Sequence, residues 1–193
     1  MGQTTSKRTA LVVGWNGVGK TAVVQCLRGA SSEPLPTRGV HRDIARLKCG
    51  PPGDERECDL ELIDLGIEPK LESKTSQYEQ FLDTDAIIFV LEANKTLERF
   101  RPDEMEKSKE LMKRICAEPE VSGKVFLVLA NKCEREDALS IKEITEYFDL
   151  ENTFHGKTWH LEHCSTVSGK GLRAAATWLV IKLDDLERKK AEG

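Results

Sequence analysis

Residues 9–27 read as strand, glycine loop and helix, an order that restricts the fold more than any other part of the sequence. Thr9-Ala10-Leu11-Val12-Val13 is a short apolar run suited to a buried strand. Gly14-Trp15-Asn16-Gly17-Val18-Gly19-Lys20-Thr21 follows and fits G-x-x-x-x-G-K-S/T, the phosphate-binding P-loop, and residues 21–27 have helical character. Each part has a task at a phosphate group. The glycines let backbone N–H groups curl around phosphate oxygens, which makes Gly14, Asn16, Gly17, Val18, Gly19 and Ala22 candidate contacts. Lys20 supplies a point charge to the β- and γ-phosphates, Thr21 offers a hydroxyl ligand to Mg²⁺, and the helix that follows presents the positive end of its dipole.

The rest of the chain continues the alternation. Residues 40–48 and 58–65 are strand candidates flanking a turn-rich stretch, 49–55, which points to an antiparallel hairpin with a long loop. Residues 85–91, 124–130 and 158–164 are further strands; the run Ala86-Ile87-Ile88-Phe89-Val90-Leu91 suits a central strand covered on both faces. Helices are expected over 71–82, from Pro102 to 116, over 140–147 with Ser140 and Glu143 spaced as a capping box, and over 171–186. Six strands alternating with five helices call for an α/β sheet with helices on both faces, and in such sheets ligands sit beyond the carboxyl ends of the strands.

Composition narrows the function. The 193 residues carry a net charge of −4 with 32% charged residues, which argues against a nucleic-acid partner. No apolar run approaches the roughly 18 residues of a membrane span. The six cysteines include no C-x-x-C pair, so a reducing, cytoplasmic setting is expected rather than a zinc site.

Three more segments complete a nucleotide site. Asp64 ends an apolar strand, where a carboxylate holds Mg²⁺ through water opposite Thr21; alone it reads more readily as a cap or turn residue, and the P-loop tips it to the metal role. Thr37, between Pro36 and Gly39, stands where a hydroxyl reaches Mg²⁺ and the γ-phosphate. Asn131-Lys132-Cys133-Glu134 follows a strand: the Asn and the acid are spaced to read a purine edge, the lysine stem to lie along the ring, and the Glu134 carboxylate to select guanine through its N1–H and 2-amino group. Cys164-Ser165-Thr166 ends the last strand, where a backbone N–H meets the base oxygen.

In this order, P-loop, Pro-Thr loop, Asp-Leu-Gly, Asn-Lys-x-acid and Cys-Ser-Thr, the chain resembles a small GTPase. Within that superfamily it is most similar to the Arf and Arf-like branch. The carrying residues are Leu35-Pro36-Thr37-Arg38-Gly39-Val40, Phe126-Leu127-Val128-Leu129-Ala130-Asn131-Lys132 and Cys164-Ser165-Thr166-Val167-Ser168-Gly169-Lys170-Gly171-Leu172. The resemblance covers nearly all of residues 9–185. It implies an α/β P-loop G-domain over 9–193, with a six-stranded, mostly parallel sheet, one antiparallel strand and about five helices on both faces. It further implies GTP/GDP binding with Mg²⁺ held by Thr21, Thr37 and, through water, Asp64. Effectors would meet residues 37–41 and 67–81, with an exchange factor and a GTPase-activating protein as further partners and vesicle trafficking as the setting.

The second switch departs from the family pattern Asp-x-x-Gly-Gln, reading Asp64-Leu65-Gly66-Ile67-Glu68. Ile67 keeps the peptide N–H that senses the γ-phosphate but crowds it with a β-branched side chain. Glu68, at the catalytic Gln position, cannot donate the amide hydrogen bond that orients water, and Pro69 stiffens the segment. Slow hydrolysis or a blunted switch is expected. Glu134 is a second departure, one methylene longer than the usual Asp.

Residues 1–8 form a short lipidation segment. Met1-Gly2-Gln3-Thr4-Thr5-Ser6 fits the N-myristoylation pattern at Gly2, and Lys7 and Arg8 follow. One acyl chain with a few basic residues gives reversible attachment to the cytosolic face of a membrane. Trp15, unusual inside a P-loop, either shields the nucleotide, meets a partner or packs on the neighbouring loop. His160 and His163, three apart on a strand, are expected on opposite faces and not in a metal site. The leading reading is thus a membrane-associated GTP-binding switch. Its rivals are a non-switching adaptor that holds nucleotide for stability and a P-loop nucleotide kinase.

Overall fold

A computed structural model describes residues 8–29, 39–49, 56–65 and 84–192. Gly2, Lys7, Thr37, Ile67, Glu68, the expected helix over 71–82 and most of the hairpin turn lie outside the described residues.

The strands are β1 Arg8–Val13, β2 Val40–Cys49, β3 Arg56–Leu65, β4 Ala86–Glu92, β5 Val125–Asn131 and β6 Thr158–His163. They form one six-stranded sheet in the order β2-β3-β1-β4-β5-β6. β2 and β3 are antiparallel and every other neighbouring pair is parallel. The mixed α/β sheet is therefore as expected.

The reason lies in the apolar runs. β1, β4 and β5 carry apolar residues at successive positions, so with a side-chain period of two both sheet faces are hydrophobic and both must be covered. Leu11, Val13, Ile87, Phe89, Leu91, Phe126 and Val128 pack into one core layer, and Ala10, Val12, Ile88, Val90, Leu127 and Leu129 into the other. The helices are α1 Lys20–Arg28, α2 Lys95–Phe100, α3 Pro102–Ala117, α4 Ile141–Phe148, α5 Leu150–Thr153 and α6 Leu172–Glu192. Helices α2 to α5 cover the first layer through Leu97, Met105, Met112, Ile144, Phe148 and Leu150. Helices α1 and α6 cover the second through Val23, Val24, Ala175, Leu179 and Leu183.

The capping box forms: Ser140 Oγ accepts from the Glu143 N–H at 3.2 Å and the Glu143 carboxylate from the Ser140 N–H at 2.8 Å. Helices α2 and α5 were not foreseen. Each is too short to display an apolar period; α2 is started by a local N-cap, Asn94, whose Oδ1 accepts from the Leu97 N–H at 2.8 Å.

One expectation is corrected at the strand edge. Arg8 is not free to meet a membrane; it opens β1 at 8% exposure. Its guanidinium pairs with Asp184 and, at 3.0 Å, with Glu187, and donates to the Val180 carbonyl at 3.3 Å, all on α6. Burial by itself lowers the Arg8 pKa; the Asp184 hydrogen bond and both carboxylates outweigh it, and the net direction is upward. Among the described residues no helix is long and apolar enough to cross a membrane.

Candidate nucleotide site

The carboxyl ends of β1, β3, β4, β5 and β6 meet on one edge of the sheet. The P-loop leaves β1 after Val13 and enters α1 at Lys20, with Gly19 at φ 97 as the N-cap. Glycine is required there twice over: the left-handed backbone disfavours a side chain, and a Cβ would collide with the Asn131 amide nitrogen. At Gly14 a Cβ would fall on the Val90 carbonyl oxygen of β4, a backbone atom that cannot turn aside. Gly14→Ala is accordingly expected to destabilise the chain by about 3 kcal/mol. A thermal scan checks this; an unshifted melting temperature contradicts the packing of the P-loop on β4.

Lys20 is 8% exposed, and its ammonium donates to the carbonyls of Gly14 at 3.1 Å and Trp15 at 3.2 Å. Burial lowers its pKa, and the Asp64 charge acts against that shift. The Thr21 hydroxyl donates to Asp64 Oδ2 at 2.7 Å, with the Asp64 side chain 1% exposed. Residues separated by more than forty positions thus bring an ammonium, a hydroxyl and a buried carboxylate to one point. The hydroxyl and the carboxylate are hard oxygen donors of the kind Mg²⁺ takes, and Thr21 and Asp64 fit that ion. Trp15 packs partly buried beside the second core layer, with the Lys107 ammonium of α3 5.6 Å from its ring centre.

The second half of the site comes from the loops after β5 and β6. Asn131 is 4% exposed; its Nδ2 donates to the Val18 carbonyl at 2.9 Å, and its Oδ1 accepts from the Thr166 N–H at 3.2 Å. It therefore ties the P-loop to the loop after β6. Lys132 has a left-handed backbone, φ 64, and its ammonium reaches the Gly17 carbonyl at 3.2 Å and the Glu92 carboxylate. Glu134 is exposed in the turn that follows.

The backbone N–H groups of Cys164, Ser165 and Thr166 are all engaged within the protein. They donate to the Ala130 carbonyl, the Lys170 carbonyl and the Asn131 side chain. Ser165, fully buried, organises the turn by accepting from the N–H groups of Val167 and Ser168. The Cys164 thiol is pushed up to about 12 by burial, so it serves packing rather than chemistry.

Sequence reasoning missed Glu92, Asn94 and Cys26. The Cys26 thiol donates to the Thr166 carbonyl at 3.3 Å and joins α1 to the base loop. For Glu92 the available signal was its place at the carboxyl end of a central strand. His160 stacks on Trp178 at 5.0 Å while His163 bonds the Leu139 carbonyl at 2.9 Å, on opposite faces as expected. Among the described residues no cluster of His, Cys, Asp or Glu is arranged to hold a metal by itself.

The sequence pattern of Arf, the ADP-ribosylation factor family, matches residues 1–183. This chain belongs to the ADP-ribosylation factor family. It is 30% identical over 173 residues to ADP-ribosylation factor-like protein 2 of Dictyostelium discoideum, covering 88% of this chain and 84% of that protein. The fold is similar to that of the Arl6 BBS3 small GTPase from Trypanosoma brucei, solved with the bound nucleotide analogue GppNp. The TM-score is 0.76 at 18% identity, covering 94% of this chain and 99% of that one. As a member of the Arf family, the chain is a GTP-binding regulatory protein of the small GTPase fold.

Proposed function

We propose that this Arf-family chain is a reversibly membrane-associated switch that binds GTP and GDP with Mg²⁺ and hydrolyses GTP slowly by itself. The observation that supports it best is the convergence of Lys20, Thr21 and Asp64 beside a P-loop braced by Asn131. When bound, Mg²⁺ would neutralise phosphate charge; Thr21 and Asp64 would hold it on this chain, with Thr37 the candidate third ligand. Lys20, now on two carbonyls, has only to turn its ammonium toward the β- and γ-phosphates. Asn131, Lys132 and Glu134 are the guanine-reading candidates. The Ser165 N–H is the most exchangeable donor for the base oxygen, since its present acceptor, the Lys170 carbonyl, belongs to an exposed loop residue. The Ile67 N–H would sense the γ-phosphate. Gly2 carries the proposed myristoyl group, with Lys7 as the basic residue beside it once Arg8 is committed to α6.

Glu68 lacks the amide donor that positions water, so intrinsic single-turnover hydrolysis is expected to be slow. Purified chain, assayed for nucleotide content and single-turnover hydrolysis with Lys20→Ala as the dead control, tests this. Hydrolysis at an ordinary Arf-like rate contradicts the expectation, and loss of that activity in Glu68→Ala would assign Glu68 a catalytic role. Ile67 and Glu68 also favour a second reading, a non-switching adaptor. Its mark is equal partner affinity in the GTP and GDP forms.

A further inference from the structure

The base loop holds the P-loop from behind through two consecutive residues. Asn131 takes the carbonyl of Val18 and Lys132 that of Gly17. In a trans peptide the C=O and the next N–H point in opposite directions. Fixing the carbonyls of residues 17 and 18 on the Asn131–Lys132 side therefore turns the N–H groups of Val18 and Gly19 the other way, toward the cradle.

Asn131 is rigid and buried, but Lys132 is a flexible side chain at 34% exposure, and an ammonium on such a stem swings into water unless it is anchored. The anchor is Glu92. It ends β4 in register with Asn131 on β5, and its side chain is 13% exposed. One oxygen receives the Lys132 ammonium, and the other accepts from Asn94 Nδ2 at 3.0 Å. Asn94 is itself held at both ends of its amide, 2% exposed with its oxygen capping α2. A continuous path thus runs from the α2 cap through Asn94, Glu92 and Lys132 to the P-loop. Lys132 accepts a left-handed backbone, φ 64, to complete it, a conformation that persists only where its surroundings hold it.

We propose that Glu92 is a positioning residue of the guanine-nucleotide site: by fixing the Lys132 ammonium on the Gly17 carbonyl it keeps the P-loop in its phosphate-ready shape and slows nucleotide release. This rests on the guanine-nucleotide reading above. Glu92→Gln keeps the size and the Asn94 contact but removes the charge that holds Lys132.

The test uses the full chain loaded with methylanthraniloyl-GDP, following release by fluorescence for the wild type, Glu92→Gln, Lys132→Met and the double variant. Glu92→Gln is expected to release nucleotide about tenfold faster, the order lost with one charge-assisted hydrogen bond. The double variant should release no faster than Lys132→Met alone, because Glu92 acts only through Lys132. A purely structural role of Glu92 would instead make the two effects multiply, and that result overturns the proposal. So does an unchanged rate in Glu92→Gln. Glu92→Asp, shorter but charged, replaces Glu92→Gln if the latter does not fold; release at the wild-type rate in both Glu92→Asp and its Lys132→Met double variant likewise overturns it. A wild-type chain that retains no labelled GDP overturns the guanine-nucleotide reading and with it this role, whereas retention with unaltered release in the Glu92 variants overturns the role alone.

Discussion

Lys20→Met is expected to lower affinity for GDP and GTP by about a hundredfold or more while raising the thermal stability of the nucleotide-free chain. The two effects have one origin. The Lys20 ammonium is 8% exposed with two backbone carbonyls as acceptors, and burial lowers its pKa from the ordinary 10.5. Without phosphate the charge is poorly placed; with phosphate it meets the anion it is positioned for. The pH dependence has a definite sign. Between the lowered folded pKa and the unfolded value of 10.5, the unfolded chain binds more protons, so stability rises with pH in that window and is flat below it. Lys20→Met removes the rise. Calorimetric titration with GDP and melting curves across that pH range check both. A variant that loses stability without nucleotide would mean that the ammonium stabilises the fold rather than waiting for a ligand.

Asn131→Ala has the opposite signature: stability and nucleotide affinity fall together. Asn131, itself 4% exposed, donates to the Val18 carbonyl and accepts from the Thr166 N–H and the Cys164 thiol. Truncation leaves buried donors and an acceptor without partners, which costs about 2–4 kcal/mol and lowers the melting temperature by roughly 5–10 °C. The nucleotide is lost as well, because the P-loop and the loop after β6 are no longer held together. Asn131→Asp separates the two ends of the side chain: a carboxylate still accepts from Thr166 but cannot donate to Val18. Nucleotide-free melting and GDP titration on both variants provide the check. An Asn131→Ala chain that melts like the wild type would show that the brace is dispensable.

The balance between Lys20 and Asn131 illustrates what could be seen in advance. Lys20 was identified because the P-loop is local: eight consecutive residues carry strand end, glycine turn and helix start. The central strands were equally plain, since β1, β4 and β5 are unbroken apolar runs that need cover on both faces. Asn131 was found, but as a reader of the base; its grip on Val18 depends on where β5 lies relative to β1, which no local pattern encodes. The role of Arg8 is hidden from the sequence for the same reason. In the sequence it is one of two adjacent cations, and only the packing of α6 against the start of β1 supplies Asp184 and Glu187 to bury it. Glu92 carried no motif at all.

By itself the sequence determined the α/β class, the P-loop, the membership of strands in a doubly covered sheet and the capping of α4, because these rest on periods and contacts within about ten residues. It also set the departures Ile67, Glu68 and Glu134, which are matters of chemical identity. Tertiary structure alone decided that β4 and β5 align Glu92 with Asn131, that Asn131 grips the Val18 carbonyl, and that Lys132 is drawn onto the Gly17 carbonyl. Those pairings come from strand order in the sheet, β1 between β3 and β4 and β5 beside β4. Strand order is settled by burying both faces of the whole sheet at once, a condition on the complete chain rather than on any segment of it.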